Sequence, residues 1–443
     1  MSLSTSRKTV GKLQSSLQAK AKSEPSYRFY SLWDKICRED VLREALRRSR
    51  ANAGAPGVDG IDFEAIEAGG TDQWLGTLQE ELRSKRYAPQ PLLRVWIPKR
   101  NGGQRPLSIP TVKDRVVQTA VVMVLGPIFE ADMAPQQYGF RPGMDAKMAV
   151  RRAYFHITQY GRREVVDADL SDYFTTIPHG PLMRCVSRRI ADGEILSVLK
   201  RWLTVPVWER TARGAVLRTT QARDQKRGTP QGGTASPLLA NLYFRRFLRA
   251  WYEHGHSGRL DAHVVNYADD LVICCQPGNG KAALAVMRRL MERLGLTVND
   301  QKTRIACLPE EGFDFLGYTV GRFYGKDGRA FIGTEPSRKS IRRVVEKIHD
   351  ETASRWNMDS AEKRVDGLNA LLRGWSGYFN QGRVIRAYRV VRQYTERRLR
   401  RWLLRRQGKR GTGYRQYPDE YLYQTLGLYR LPDSRAAVAK AKA

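Results

Sequence analysis

Apolar and polar positions change their spacing several times along the chain, and each change marks an element. From Tyr27 to about Arg50, the residues Leu32, Ile36, Val41, Leu42, Ala45 and Leu46 recur roughly every turn. That spacing predicts one helix, ended by the turn-forming run Asn52 to Gly60, NAGAPGVDG. A second helix is expected from about Asp72 to Ser84. Alternation at Leu93, Val95 and Ile97, then Asn101-Gly102-Gly103, then Pro106 to Ile109, predicts a β-hairpin. Val112 to Phe129 reads as an apolar helix. Glu164 to Leu170 is expected as a strand, Leu182 to Arg189 and Glu194 to Leu203 as helices, and Ala235 to Arg249 as a helix after a Gly-rich loop. Ala262 to Cys275 reads as two short strands joined by a tight turn, and Lys281 to Leu294 as a helix. Beyond Gly333, segments 337–354, 361–374 and 384–407 carry a helical period and are rich in Arg. The pattern predicts an α+β core followed by an all-helical basic domain. Residues 1–26, polar, basic and Ser-rich, are expected to be a mobile tail.

Charge sharpens this picture. Lys and Arg number 77 against 45 Asp and Glu in 443 residues, a formal net charge of +32. An excess of that size, spread over the whole chain, predicts a polyanionic partner, nucleic acid first, with salt-sensitive binding. The five cysteines include no CxxC pair, so neither a zinc site nor a disulfide framework is expected, and the setting is read as reducing and cytoplasmic. The first residues lack the apolar core of a signal peptide. The longest apolar stretch, around Val116 to Phe129, contains Gln118 and Thr119 and is too short to span a bilayer, so no membrane partner is expected.

The candidate chemistry lies at strand ends. Asp169 ends the apolar run EVVDADL, and Asp269 and Asp270 occupy the tip of the hairpin VVNYADDLVI. A hairpin turn favours Asp for structural reasons alone. Taken together, however, the two sites can place carboxylates on a common floor. Transfer of a nucleotidyl group to a 3′-hydroxyl uses two divalent ions about 3.5–4 Å apart, and Mg2+ prefers such hard oxygen ligands.

At this point the chain resembles a known family. IPKRNGGQRPLSIPTVKDRVVQ, YGFRPG, DADLSDYFTTIPH, RGTPQGGTASPLLANLYF, YADD, GLTVNDQKT and FDFLGY are similar, in order, to the successive blocks of reverse transcriptases. NAGAPGVDG and LLRGWSGYFNQG are similar to flanking blocks of the reverse transcriptase–maturases encoded by bacterial group II introns. The resemblance implies a right-hand polymerase: an N-terminal extension at 27–85, fingers at 86–160, an antiparallel-sheet palm at 161–333, a helical thumb or maturase domain at 334–431, and a tail at 432–443. It implies RNA-directed DNA synthesis from dNTPs on an RNA template and DNA primer, with two Mg2+ ions (or Mn2+), and binding to a parent group II intron RNA to assist splicing and retromobility.

Roles follow by the same resemblance. Asp169, Asp269 and Asp270, with the backbone of Leu170, are the metal ligands. Lys99 and Arg105 hold the incoming triphosphate, and Phe174 is the ring that excludes a 2′-hydroxyl. Gln231 and Gly232 lie under the templating pair. Lys302 matches a lysine proposed to protonate pyrophosphate. Phe315, Leu316 and Gly317 grip the primer, and Arg386, Arg389, Arg397 and Arg401 contact nucleic acid. Each residue has a plainer reading: a solvated hairpin tip for Lys99 and Arg105, a core aromatic for Phe174, a surface lysine for Lys302, core strand positions for 315–317. Alternatives for the whole are an intron-free host or defence reverse transcriptase, an RNA-binding maturase with a relict polymerase, and an RNA-dependent RNA polymerase, which Phe174 disfavours. With no Cys/His endonuclease segment in the sequence, second-strand cleavage is not expected. Oligomeric state is not legible.

Overall fold

The computed structural model describes residues 3–98, 103–210, 215–325 and 327–434. The chain opens with helix α1 (Leu3–Ser23), a correction to the mobile tail expected there. Val10 and Ala21 of α1 are buried, Gln14 Nε2 donates to the Met123 carbonyl at 2.8 Å, and the Arg189 guanidinium binds the carbonyls of Ala21 in the last turn and Glu24 just past it. The single helix expected from Tyr27 is also broken. It becomes α2 (Trp33–Ile36) and α3 (Glu39–Ala51), with Arg38 extended between them. Tyr27 to Leu32 cannot coil because Phe29 pairs with the 189–191 backbone, while Asp192 Oδ2 accepts from the amides of Leu32 and Trp33 at 2.8 Å each. Two short helices follow, α4 (Phe63–Ala68) and α5 (Thr71–Arg83).

The predicted hairpin is present as β1 (Leu92–Pro98) and β2 (Gln104–Ile109), and leads into α6 (Val112–Glu130), capped by Thr111. After α7 (Ala146–Gln159) come β3 (Glu164–Asp169), α8 (Tyr173–Thr176), α9 (His179–Ser187) and α10 (Gly193–Thr204). The strands β4 (Val207–Arg210) and β5 (Val216–Thr219), which the pattern did not reveal, extend the hairpin into a four-stranded sheet in the order β2-β1-β4-β5. Then come α11 (Gln221–Gln225), α12 (Ser236–Glu253), α13 (His256–Arg259), β6 (Ala262–Tyr267), β7 (Asp270–Cys275), α14 (Gly280–Arg293) and β8 (Arg304–Cys307). β6, β7, β3 and β8 form an entirely antiparallel sheet in that order. A three-stranded sheet of β9 (Phe313–Phe315), β10 (Tyr318–Tyr324) and β11 (Ala330–Pro336) precedes the C-terminal helices α15 (Arg338–Glu351), α16 (Ala361–Tyr378) and α17 (Ile385–Arg406).

The antiparallel palm sheet is buried on both faces, by two different cores. Val166, Ala168, Leu271 and Ile273 face the core shared with α1, α6 and α12. Val165, Val272 and Cys274 face the core shared with α7 and the C-terminal helices. The strict alternation in burial follows the two-residue period of a strand. Asp167, Asp169 and Asp270 have the same parity as Val165 and Val272, so they project on the side of the C-terminal helices.

Candidate nucleotidyl-transfer site

Register brings the carboxylates together. Across the β3–β7 pair, Asp169 lies directly opposite Asp270. Opposed residues in an antiparallel ladder have Cα atoms about 4.5–5.5 Å apart, so the two side chains stand side by side. Asp269 precedes Asp270 in the β6–β7 turn, where Ala268 takes the left-handed conformation, φ +58°.

That turn is supported from beneath by polar groups outside the acidic motif. The amide of Asn266, fully buried, donates through Nδ2 to the carbonyls of Ala268 at 2.8 Å and Asp270 at 3.2 Å. Gly139 packs so closely that a Cβ there would stand 2.5 Å from the Ala268 nitrogen. Its carbonyl accepts from Asn241 Nδ2 at 2.7 Å, and Gln137 Nε2 donates to the Asn241 carbonyl at 2.9 Å. The signal available in the sequence was a polar Asn inside an otherwise apolar buried strand, a placement that calls for a hydrogen-bonding role.

Asp169 Oδ2 accepts from Lys302 Nζ at 3.1 Å and from Asn299 Nδ2 at 3.2 Å. The Lys302 side chain is 60 % exposed, so this ion pair is a surface contact able to exchange. Asp270 has no cationic partner among the described residues. Asp270 is exposed to the cleft, yet the protein packed beside its carboxyl thins the water around it, and Lys302 pulls the other way only weakly. That desolvation, followed by repulsion from Asp269, Asp169 and Asp167, pushes its pKa up to about 7. Asp167, one strand repeat behind, is raised to about 6, again chiefly by burial and against the pull of Arg304. Leu170 has a buried side chain. The bonds Asn299 N–H to Asp169 O and Ser171 N–H to Thr297 O flank it, so its own carbonyl points to the other edge of β3, where β7 lies. Among the described residues, no three acidic, His or Cys side chains already converge tightly enough to cage an ion. What stands ready is a set of hard oxygen donors whose charge is balanced only by an exposed ammonium and a readily lost proton, which fits a divalent cation.

The nucleotide side of the cleft is partly assembled. Lys99 lies outside the described residues. Arg105, exposed on β2, donates from Nε to Gln231 Oε1 at 3.3 Å, and the Ser108 amide bonds the Gln231 carbonyl at 2.7 Å. Fingers hairpin and Gly-rich loop are therefore joined at Gln231. Gly232 has φ +117°, and a Cβ there would lie 2.4 Å from the Ser108 carbonyl, so only glycine closes this joint. Of the aromatic pair after Asp169, Tyr173 is the core residue, its hydroxyl bonded to the Ala240 carbonyl at 2.6 Å. Phe174 is half-buried, and Phe140, itself 55 % exposed, stands edge-on to it at 6.3 Å.

A cleft of about 1110 Å3 runs from Asp270 and Lys302 past Leu316 and Gly317 to Lys339, Arg343 and Lys347 of α15. Phe315 does not reach it: at 3 % exposure it is a core residue, a correction to the three-residue grip expected at 315–317. The turn itself is clamped to the C-terminal helices, since Tyr378 Oη donates to the Leu316 carbonyl at 2.7 Å and Ser340 Oγ to the Gly317 carbonyl at 2.8 Å. Arg386, Arg389, Arg397 and Arg401 are exposed on α17 and are not among the residues lining this cleft. Two neighbours in that Arg run are structural: Arg398 binds Thr352, and Arg400 binds Tyr417 and Asp419. The cations facing the carboxylates come instead from α15, where spacing by four puts three on one face.

Among the described residues, no helix is long and apolar enough to cross a membrane. Residues 97–320 match the family profile described as reverse transcriptase (RNA-dependent DNA polymerase), and residues 341–418 match the group II intron, maturase-specific domain. Protein YkfC of Escherichia coli (strain K12) is 33 % identical over 369 residues, covering 75 % of this chain and 93 % of that one. The group II intron-encoded protein LtrA of Lactococcus lactis subsp. cremoris is 30 % identical over 216 residues, 48 % of this chain and 34 % of its own. The putative COX1/OXI3 intron 1 protein of Saccharomyces cerevisiae (strain ATCC 204508 / S288c) is 24 % identical over 417 residues, 77 % of this chain and 49 % of its own. The chain therefore spans most of the first relative but half or less of the other two. Carboxylates opposed on an antiparallel palm sheet, a hairpin docked on the Gly-rich loop and the two matched domains lead to one conclusion: this chain belongs to the reverse transcriptase family, in the branch that carries a group II intron maturase domain.

Proposed function

We propose that the protein is an RNA-directed DNA polymerase that also binds a parent group II intron RNA and assists its splicing. The observation that carries the polymerase reading is the opposition of Asp169 and Asp270 across β3 and β7, with Asp269 in the adjoining turn. Asp169, Asp269, Asp270 and the Leu170 carbonyl would hold two Mg2+ (or Mn2+) ions, which when bound activate the primer 3′-hydroxyl and neutralise the triphosphate. The remaining roles fall to the chain itself. Arg105 and Lys99 take the triphosphate, while Arg105 stays tied to the Gln231 loop beneath the base pair. Phe174, braced by Phe140, presents a ring edge where a 2′-hydroxyl would lie, favouring dNTP. Lys302 rests on Asp169, and once a cation claims that carboxylate the ammonium is free to turn to the leaving pyrophosphate and donate a proton. Leu316 and Gly317 meet the primer end, and Lys339, Arg343 and Lys347 take backbone phosphates behind it. The outward Arg386, Arg389, Arg397 and Arg401 face of α17 suits the intron RNA.

The test is extension of a DNA primer on an RNA template with Mg2+ and dNTPs. Asp269→Ala/Asp270→Ala is expected to reduce extension to background while leaving protein-assisted splicing of a cognate intron intact. Extension at the parental rate by that double variant would remove the metal assignment.

A further inference from the structure

A second basic site lies away from the cleft. On the far half of α12, Arg245, Arg246 and Arg249 face a surface cavity of about 200 Å3, with Cys185 of α9 and Arg188 just past its end opposite, and with Leu242, Glu253 and His254 completing the lining. Arg245 begins this cluster about 14 Å along the helix from Ser236, which adjoins the Gly-rich loop. None of these side chains lines the cleft that runs from Asp270 to α15.

The charge balance there is unusual even for so basic a chain. Arg249 is paired with Glu253 at 2.7 Å, and the nearby Asp132 is already bound to Arg189 at 3.2 Å. Among the described residues no carboxylate forms an ion pair with Arg188, Arg245 or Arg246; Arg246 meets Tyr243, whose hydroxyl lies at 3.4 Å and whose ring centre lies at 5.3 Å. Arg245 and Arg246 are half-buried. Burial, with Arg249 and Arg188 adding to it against Asp132, lowers the Arg245 pKa, a sign that these cations crowd one another. Guanidinium groups that lose water and face like charge are costly unless an anion joins them. Their planar forks match phosphate oxygens in pairs. The cavity has room for a phosphodiester group and a few waters.

We propose that this cavity binds a backbone phosphate of an RNA segment lying across the back of the palm, apart from the template–primer duplex. The proposal rests on the reading of the chain as an RNA-binding protein and not on its polymerase chemistry. Polynucleotide is favoured over a small anion because the cavity is open, because exposed Arg184 of α9 lies one turn before Arg188, and because the chain's net charge of +32 demands an extended counter-charge.

The experiment uses the full chain. Arg188→Gln/Arg245→Gln/Arg246→Gln is expected to bind a structured RNA transcript about 10-fold more weakly at 150 mM salt, with the log–log salt slope reduced by about 1. Extension of a short preannealed template–primer should remain within about twofold of the parent. In a Cys307→Ser background, where Cys185 is the remaining thiol that is not buried, RNA should protect Cys185 from maleimide, and millimolar inorganic phosphate should not. Unchanged RNA affinity and slope in a folded variant overturn the proposal, as does equal protection by phosphate, which would mean a free-anion site. Should the triple variant fail to melt cooperatively, Arg188→Glu at its exposed position is expected to weaken RNA binding at least fivefold, and parental affinity there overturns the proposal. Failure of the parent chain to bind RNA at all would instead refute the RNA-binding reading.

Discussion

Asp270→Asn should stabilise the metal-free protein while abolishing synthesis. In the folded chain, Asp270 sits opposite Asp169 and beside Asp269; among the described residues it has no ion pair, and Lys302 acts on it only at longer range. Taking carboxylates about 5 Å apart and an effective dielectric constant of roughly 20–80, each repulsive pair costs about 1–3 kcal/mol. An asparagine of the same shape removes both pairs, but Lys302 already offsets the charge of Asp169, so one pair's worth, roughly 1–3 kcal/mol, is gained. With about 2 °C per kcal/mol for a chain of this size, the melting temperature at pH 8 in EDTA should rise by about 2–6 °C. The sign with pH follows from the raised pKa. The unfolded carboxyl ionises near 3.9, whereas in the folded site it keeps its proton up to about 7. Asp270 therefore withdraws stability from the parent as pH climbs from about 4, with the full loss reached above about 7. The gap between variant and parent should close as pH falls from 7 towards 4. Millimolar Mg2+ should raise the parent's melting temperature and raise that of the variant less. Scanning calorimetry of both proteins at pH 4.5, 6 and 8, with EDTA or Mg2+, reads all of this. A variant that melts no higher than its parent at pH 8 in EDTA would refute the reasoning, whatever its activity.

Other outcomes follow from the same geometry. Phe174→Ala should raise the ratio of ribonucleotide to deoxyribonucleotide incorporation at least 10-fold, measured by single-nucleotide extension; an unchanged ratio means the ring does not bound the sugar. Gly232→Ala places a methyl 2.4 Å from the Ser108 carbonyl at a φ reserved for glycine, so kcat for extension should fall at least 10-fold with the melting temperature lowered. Asn266→Ala strips the hydrogen bonds that shape the catalytic turn, at a cost of about 1–3 kcal/mol, and should depress kcat more than KM for dNTP. Lys339→Ala/Arg343→Ala/Lys347→Ala should raise KM for template–primer about 10-fold and flatten its salt dependence, with KM for dNTP little changed.

Much of this was legible in the sequence, for reasons that differ by element. β6 and β7 show two apolar runs around a tight turn, and the antiparallel register that opposes Asp169 and Asp270 follows once β3 is placed beside them. In the Arg run of α17 the four named positions Arg386, Arg389, Arg397 and Arg401 do face outward, but composition does not say which way their neighbours point. Arg398 and Arg400 turn inward to cap carbonyls and pair with Asp419, whereas the cleft cations come from the less conspicuous α15. In α1 the signal was present but thin. Val10, Leu13, Leu17 and Ala21 recur at 3-4-4 spacing among Ser and Lys, enough for one buried stripe against α6. β4 and β5 span four residues each and gain their place by pairing with β1 and with each other, a long-range cause that no local window holds. Phe315 and Tyr173 look like Leu316 and Phe174 on paper; each pair packs on one core, and only depth of burial separates the core residue from its cleft-side neighbour.

The two opposed carboxylates rest in different states, and that difference tells how the site can be both stable and ready. Asp169 is neutralised from one side by Lys302 and Asn299, both on the segment that leads into β8. Asp270, left without a cation, relieves the repulsion by holding a proton to about pH 7. Each arrangement is cheap to undo: the ion pair is exposed, and the proton leaves near neutral pH. An entering divalent cation would thus release one proton and one ammonium. The ammonium stands where Lys302 lines the cleft beside Asp270, the position from which the proposed proton transfer would start. The resting site is a compromise among like charges, and that compromise holds Lys302 against Asp169 until a cation displaces it.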